Sequence, residues 1–442
     1  MIRTISVALW MSIMAVAPAA CTTDVLAGQA PAPGALVAAW NQQVLAVAEA
    51  EDRFLTLKGL RTAAMMHLAV HDALNAIRPR YATWLEPRSA RRADPVAAAV
   101  QTAFEVARDQ YPDQEPRFRT ELEAWLSRVE EGRAKDEGLE LGARTAAAIL
   151  ASREGDRWDA EADYRWHPMA PGVYAEFREH SGTPEGFVFG AGWAAAKPFA
   201  LGSPSQFRAP PPPPIDSEAY TRAFDEVKEA GAFESATRTA DESHLAMWWK
   251  DFVENSHNRL ARRLVREEDL DLWAAARMFA LLNMSVYDAY VNVFDNKFFY
   301  NHWRPYTAIR WAANDGNPET QEDPGWDNLH RHTYAFPSYP SAHGTACAAA
   351  MTVLAETFGR DRPVTMTTEL VDRSGPLSEK VPIDPVSRSF ESFAAAAEEC
   401  SLSRVYLGIH FRYDSEAGTD LGRKIGSHVV DRFLRPREEH AE

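Results

Sequence analysis

Two long segments of the chain are apolar around almost the whole circumference of a helix, and they limit the fold more than any other feature. They span residues 63–77 and 270–294. A helix of this kind is stable only when other helices surround it. Three further segments, 97–111, 118–129 and 137–153, have one apolar and one charged face, which is typical of the outer helices of a bundle. We therefore predict an all-α fold.

The helical patterns fall into two groups, separated by a stretch without helical period. Residues 158–207 mix Gly, Pro and aromatic residues, and a run of five prolines follows at 210–214. Long irregular segments of this kind usually serve a function or wrap over a domain. We predict two helical bundles with long irregular connecting segments: an N-terminal bundle over 28–209 and a C-terminal bundle over 210–442.

The first 27 residues have the pattern of a secretory signal peptide. Arg3 precedes an apolar run at 5–20 that is short for a membrane span, and small residues follow near Ala27. An alternative interpretation is a lipid anchor at Cys21, which follows Ala19 and Ala20. Both interpretations predict export to the periplasm or the outside of the cell, with no integral membrane span in the mature chain.

The charge balance excludes several classes of partner. The formal net charge is −16, which disfavours nucleic acids and anionic membrane surfaces. A site for a small anion would therefore need a local excess of positive charge. If the signal peptide is removed, Cys347 and Cys400 are the remaining cysteines, and either one disulfide or two small buried thiols fits them. We expect buried thiols, because both cysteines lie in Ala-rich helical surroundings.

The stretch Pro340-Ser341-Ala342-His343 has the form of a turn that leads into a helix. An Ala-rich run follows and ends at Gly359. Ser341 is a typical N-cap residue, and the first amides of a helix are free to bind an anion. His343 would stand where it can exchange a proton with the bound group. This turn is thus a candidate oxyanion site.

Two other segments supply the charges that such a site needs. No carboxylate occurs between Asp295 and Asp315, a stretch that contains Lys297 and Arg304. A third segment contains Arg404, His410 and Asp414. Three cations, a hydroxyl, helix amides and two imidazoles together can bind a tetrahedral oxyanion and perform proton or nucleophilic chemistry on it.

These three segments resemble a known signature. Lys-x6-Arg-Pro at 297–305, Pro-Ser-Gly-His at 340–343 with Ala in place of Gly, and Ser-Arg-x5-His-x3-Asp at 403–414 are similar to the motifs of the superfamily of type 2 phosphatidic acid phosphatases and vanadium haloperoxidases. The resemblance implies a haloperoxidase-like fold with two helical bundles. It also implies vanadate as the cofactor, with phosphate as a substitute.

The resemblance assigns roles to the motif residues. His410 would bind vanadium through Nε2, and His343 would act as the acid and base toward peroxide. The residues implied to bind the equatorial oxygens are Lys297, Arg304, Ser341, Arg404 and the amide of Ala342. Asp414 would orient a cation or a histidine. The side chain at position 342 departs from the motif, and this would be unfavourable if the turn required a positive φ.

Two aromatic residues point to the chloroperoxidase-like branch. Phe336 and Trp303 occupy the positions where that branch has Phe and Trp, and the resemblance implies a halide site near them; packing is the alternative for both. The predicted function is a secreted vanadate-dependent haloperoxidase acting on hydrogen peroxide, halide and a small organic substrate. Two alternatives are an acid phosphatase with His410 as the nucleophile, and a non-catalytic helical protein that binds an oxyanion.

Overall fold

Thirteen α-helices and a two-stranded sheet make up the part of the chain that the computed structural model describes, residues 34–161, 164–175, 188–369 and 380–437. The predicted all-α class is therefore confirmed, with one small addition of strand. The helices are α1 Ala35–Asp52, α2 Lys58–Ile77, α3 Pro95–Gln110, α4 Glu115–Leu126, α5 Arg133–Ser152, α6 Glu218–Ala230, α7 Ala240–Trp248, α8 Val253–Glu267, α9 Leu272–Tyr300, α10 Pro305–Arg310, α11 Ala342–Phe358, α12 Phe393–Tyr406 and α13 Arg412–Arg432. Strands β1 Val364–Thr367 and β2 Ser387–Phe390 pair antiparallel.

Helices α2 and α9 form the centre of the molecule and pack against each other. Every residue of α2 from Gly59 to Ala76 is buried, and α9 is buried along most of its length. One apolar cluster runs through both helices and into α11 and α12. The described residues belong to a single compact unit, Ala32–Glu442; the division into two bundles at residues 209 and 210 stays a prediction.

Each of the two central helices has a buried aspartate that accepts hydrogen bonds from backbone amides of an irregular segment. On α2, the carboxylate of Asp72 accepts hydrogen bonds from the amides of Trp84 and Leu85, at 2.9 and 2.7 Å. On α9, Asp288 accepts from the amides of residues 199–201, at 2.7 to 2.9 Å. Burial raises the pKa of Asp72 to about 7 and that of Asp288 to about 6. Each acid thus fastens an irregular segment to the core from inside.

Two helices differ from what the sequence pattern predicts. The helical pattern of residues 240–263 predicts one continuous helix, but it is interrupted: α7 ends at Trp248, and α8 begins at Val253. The pattern of residues 387–404 predicts another, which begins only at Phe393, where the Ser392 hydroxyl caps it, because residues 387–390 pair with β1 instead. Pairing with a distant strand is a tertiary effect that local pattern does not contain.

The close packing of α11 on α13 depends on a stripe of glycines, as the four-residue spacing predicts. A Cβ at Gly418, Gly422 or Gly426 would lie 2.2 to 2.8 Å from atoms of residues 341–352. The missing side chains therefore let the two helices approach. Within the described ranges, we find no helix with the length and apolar character needed to cross a bilayer.

Candidate functional site: a buried cationic cluster

The turn at Ser341 has the predicted geometry. Ser341 is the N-cap of α11, and its Oγ accepts a hydrogen bond from the amide of Gly344 at 3.3 Å. Ala342 is the first residue of the helix and is not among the residues with positive φ. Its methyl group therefore causes no backbone strain, and the departure from the motif costs little at this position.

Lys297 and Arg304 reach the site from opposite sides of a helix break. Pro305 predicts a helix end near Arg304; α9 ends at Tyr300, and Lys297 lies in its last turn. Asn301, with φ of 47°, ends the helix, and Arg304 follows in extended conformation as the N-cap of α10. Lys297 Nζ is buried and donates to the carbonyls of Pro337 and Ser338, at 3.0 and 2.6 Å.

The two arginines are held by backbone carbonyls rather than by carboxylates. Arg304 donates from Nε to the Phe336 carbonyl and from Nη1 to the Ile409 carbonyl, both at 2.9 Å. Its buried Nη2 has no hydrogen-bond partner. Arg404 donates from Nη2 to the carbonyl of Trp249 at 2.6 Å. Because the helix is interrupted between α7 and α8, the carbonyl of Trp249 is available to bond to Arg404 and position it.

His410 is fixed in one tautomer by its neighbours. Its Nδ1 lies 2.9 Å from Asp414 Oδ2, and its Nε2 lies 3.2 Å from Arg304 Nη1. A guanidinium can only donate, so Nε2 is the acceptor and Nδ1 carries the proton. Asp414 also accepts from the hydroxyl of Ser338 and the amide of Phe411. The sequence left open what Asp414 orients, and the structure places a histidine there.

His343 stands in the first turn of α11 with one nitrogen free. Its Nε2 is shielded from solvent and has no hydrogen-bond partner. Burial and the neighbouring Arg404 and His257 hold the pKa of His343 well below its usual range. An imidazole that is neutral at pH 7, with an unpaired Nε2, can accept a proton from a bound ligand.

The cluster has more positive charge than its protein neighbours balance. Burial lowers the pKa of Arg304 and of Arg404 to about 10, so both remain charged at neutral pH. Burial, together with the charge of Arg304, also lowers the pKa of Lys297. The carboxyl of Asp414 is engaged by His410, and burial raises its pKa to about 7. Two charged, buried arginines and the Lys297 amine beside one such carboxyl form a site suited to an oxyanion.

The two aromatic residues near which a halide site was expected, Phe336 and Trp303, have different surroundings. Phe336 lies between two cations: Arg304 Cζ is 4.7 Å and Lys297 Nζ is 5.2 Å from the centre of its ring. Trp303 is fully buried and packs against Trp311 and Tyr220. It is not among the residues that line the cavity beside the site, so packing accounts for Trp303, whereas Phe336 belongs to the cluster.

Cys347 and Cys400 form a disulfide, so the expectation of two buried thiols is wrong. Cys347 lies one turn after His343 on α11, and Cys400 lies one turn before Arg404 on α12. Each sequence pattern indicated a helix, but neither could show that the two helices present these positions to each other.

Some residues of the site had no signal in the sequence. Ser338 lies next to the recognised turn, yet only the structure shows its bond to Asp414. A cavity of about 380 Å³ adjoins His343, Arg404 and His410. Its walls include Phe54 from the α1–α2 turn, more than two hundred residues away in the chain. Local pattern cannot predict such a contact.

Comparison with known proteins supports the resemblance. A family model described as the VCPO second helical-bundle domain matches residues 277–439. Vanadium chloroperoxidase of Curvularia inaequalis is 26% identical over 208 residues, which are 37% of this chain and 34% of that protein. The chain therefore aligns with about a third of the length of this curated relative.

Two solved structures share the fold. A bacterial vanadium-dependent iodoperoxidase superposes with a TM-score of 0.72 and 22% identity, over 93% of this chain and 99% of that one. The vanadium-bound form of a bacterial vanadium-dependent chloroperoxidase gives a TM-score of 0.65 at 18% identity, over 84% of this chain and 90% of that one. At these identities the superpositions show a common fold.

Proposed function

We propose that this chain, which resembles the vanadium-dependent haloperoxidases in its fold and in the sequence of residues 277–439, binds vanadate and oxidises halide with hydrogen peroxide. The observation that carries the proposal is the buried excess of positive charge at Lys297, Arg304 and Arg404, with unpaired nitrogens on Arg304 and His343. An anion of the size of vanadate would neutralise the cations and pair those nitrogens.

The residues of the chain fit the needs of vanadate. Lys297, Arg304 and Arg404 would bind its oxygens, together with the Ser341 hydroxyl and the amide of Ala342. The proton on Nδ1 of His410 leaves its Nε2 lone pair available to bind the metal. When bound, vanadate supplies a Lewis-acidic centre that activates hydrogen peroxide toward halide.

The chain's own contribution to the reaction is to hold charge and move protons. Asp414 keeps His410 in the tautomer that leaves Nε2 unprotonated. His343 Nε2 takes up the proton of an incoming peroxide, because it is neutral and unpaired. The buried cations stabilise negative charge in a site from which water is largely excluded.

We propose that the protein is exported. The disulfide between Cys347 and Cys400 supports this, since such bonds persist in oxidising compartments. The predicted signal peptide, 1–27, lies outside the described residues, so its structure adds nothing to the argument. Protease accessibility in intact cells would test the location.

Phosphate ester hydrolysis is the second candidate, and the geometry at His410 favours it equally. An unprotonated Nε2 beside Arg304 is also the arrangement that a histidine nucleophile needs to attack phosphorus. In that reaction His343 would protonate the leaving group, and because its pKa lies well below the usual range it would first have to gain a proton, for which a bound phosphate dianion is the stabilising partner.

One pair of assays separates these functions. Purified protein is incubated with orthovanadate and assayed for bromination of a cyclic dione with peroxide and bromide. Release of phosphate from an aryl phosphate is measured in parallel without vanadate. We expect vanadate-dependent bromination that His410→Ala abolishes and His428→Ala, on the outer part of α13, leaves unchanged.

The other results each identify a different function. Phosphate release without any bromination would overturn the haloperoxidase proposal and assign the phosphatase. Vanadate binding without either activity would leave an oxyanion-binding protein. Repeating the bromination assay with chloride and iodide would establish the halide preference.

A further inference from the structure

The cavity beside the cationic cluster has walls that neither halide nor peroxide requires. Its volume is about 380 Å³, within the range of pockets for small organic ligands. A halide ion and a peroxide molecule together fill only a small part of such a volume. Eight aromatic residues line it, namely Phe54, Phe189, Trp193, Phe252, Tyr290, Phe294, Tyr334 and Phe336.

These rings form a connected wall. The centre of the Trp193 ring lies 4.7 Å from that of Phe294 and 5.8 Å from that of Tyr290. Phe336 lies 5.3 Å from Phe294 and 5.8 Å from Phe189. Mutual contacts of this kind hold each ring in place before any ligand arrives, which lowers the entropy cost of binding.

One edge of the cavity is built from an unusual turn between α1 and α2. Arg53 and Phe54 both have left-handed backbone conformations, with φ of 54° and 56°. The carboxylate of Asp52 holds the turn by accepting from the Phe54 amide at 2.9 Å. The turn directs Phe54 into the wall and leaves Leu55, which is 57% exposed, at the mouth. Arg53 is the left-handed C-cap of α1, so the same turn ends that helix and places Phe54.

The wall also contains one carboxyl group. Glu254, at the start of α8, is 3% exposed, and its Oε2 has no hydrogen-bond partner. Tyr290, its neighbour in the wall, hydrogen-bonds to the same carboxyl group and leaves Oε2 unpaired. A buried carboxyl oxygen without a partner is costly, and a hydroxyl or amino group on a ligand would satisfy it. Away from the cationic cluster, the cavity thus combines aromatic faces with one carboxyl group that has an unpaired oxygen.

We infer that this cavity binds a flat aromatic molecule with one hydroxyl or amino group, and that this molecule is the organic substrate of the neighbouring site. Its rings contact Trp193 and the phenylalanines, and its polar group bonds to Glu254. The assignment as substrate rests on the proposed function; the binding itself does not.

The test uses vanadate-free protein and 2-naphthol as the probe, with binding followed by calorimetry. We expect saturable binding at one site. Trp193→Ala should weaken it about three- to tenfold through loss of an aromatic contact. Leu55→Asp, a change at an exposed position that folding tolerates, should weaken it about threefold. Val386→Asp, at another exposed apolar position outside the cavity, should leave binding unchanged.

A second probe isolates the polar anchor. 2-Methoxynaphthalene has the same rings without the donor, so we expect it to bind about fivefold more weakly than 2-naphthol. Glu254→Leu should remove this difference. Equal binding of the two probes to the unmodified protein would overturn the role of Glu254.

The cavity proposal and the haloperoxidase proposal fail in different ways. No binding of 2-naphthol, or binding that Leu55→Asp and folded Trp193→Ala leave unchanged, would overturn the cavity proposal whatever the enzyme does. Binding that weakens as expected, without vanadate-dependent bromination, would support the cavity and overturn the haloperoxidase assignment.

Discussion

The disulfide between Cys347 and Cys400 should be a major source of stability. It closes a loop with a sequence separation of 53 residues. For a loop of this length, the entropy removed from the unfolded chain is about 14 cal/mol/K, or about 4 kcal/mol at 25 °C. Domains unfold with about 5–15 kcal/mol. Loss of the bond should therefore remove a large fraction of the free energy of unfolding.

The measurement is urea unfolding followed by far-UV circular dichroism, with and without a phosphine reductant. The unmodified protein should lose about 4 kcal/mol when reduced. The Cys347→Ala, Cys400→Ala double variant should be equally destabilised and insensitive to the reductant, which controls for other effects of that reagent. An unchanged unfolding curve after complete reduction would refute the reasoning.

The same bond should also matter for the site. It joins α11 to α12, one turn from His343 and one turn from Arg404. Without it, packing and hydrogen bonds such as that of Arg404 to the Trp249 carbonyl are what hold these two side chains in place. We expect reduced but still folded protein to bind vanadate more weakly, which equilibrium dialysis would detect.

Three further predictions concern single side chains. Asp414→Asn should weaken vanadate binding about 10- to 100-fold, because the amide no longer fixes His410; equal affinity in dialysis would contradict this role. Gly422→Ala should lower the free energy of unfolding by about 1–3 kcal/mol, since its Cβ would lie 2.2 Å from a carbonyl oxygen of α11. Gly325→Ala, whose nearest neighbour is a side-chain atom at 3.5 Å, is the control, and equal unfolding curves would contradict the packing argument. Ala342→Gly should destabilise by about 0.5–1 kcal/mol and leave vanadate affinity within about twofold; a large gain in affinity would show that the methyl group obstructs the site.

The turn at Ser341 shows what local sequence can predict. Its cap, the start of α11 and the helix end near Gly359 all follow from residues close together in the chain. The glycine spacing at 418–426 likewise predicts a close helix contact. Both features depend on local geometry, which a short stretch of residues largely determines.

Features that depend on distant partners were not predictable in the same way. The break between Trp248 and Val253 carries no Gly or Pro, and it makes sense only beside Arg404, which bonds to the carbonyl of Trp249. Glu254 looks like an ordinary charge of an amphipathic helix in the sequence, yet it is buried in the cavity wall. Such placements follow from tertiary packing, which overrides local propensity.

Substitutions in the turn at Phe54 and Leu55 can alter the opening of the cavity independently of the charged cluster. The charged residues of the cluster lie between positions 297 and 414, whereas one lip of the cavity comes from residues 53–55. Substitutions in that short turn reshape the opening without touching a single cation or imidazole. This part of the recognition surface is therefore encoded apart from the residues that perform the chemistry, and it can diversify while they are preserved.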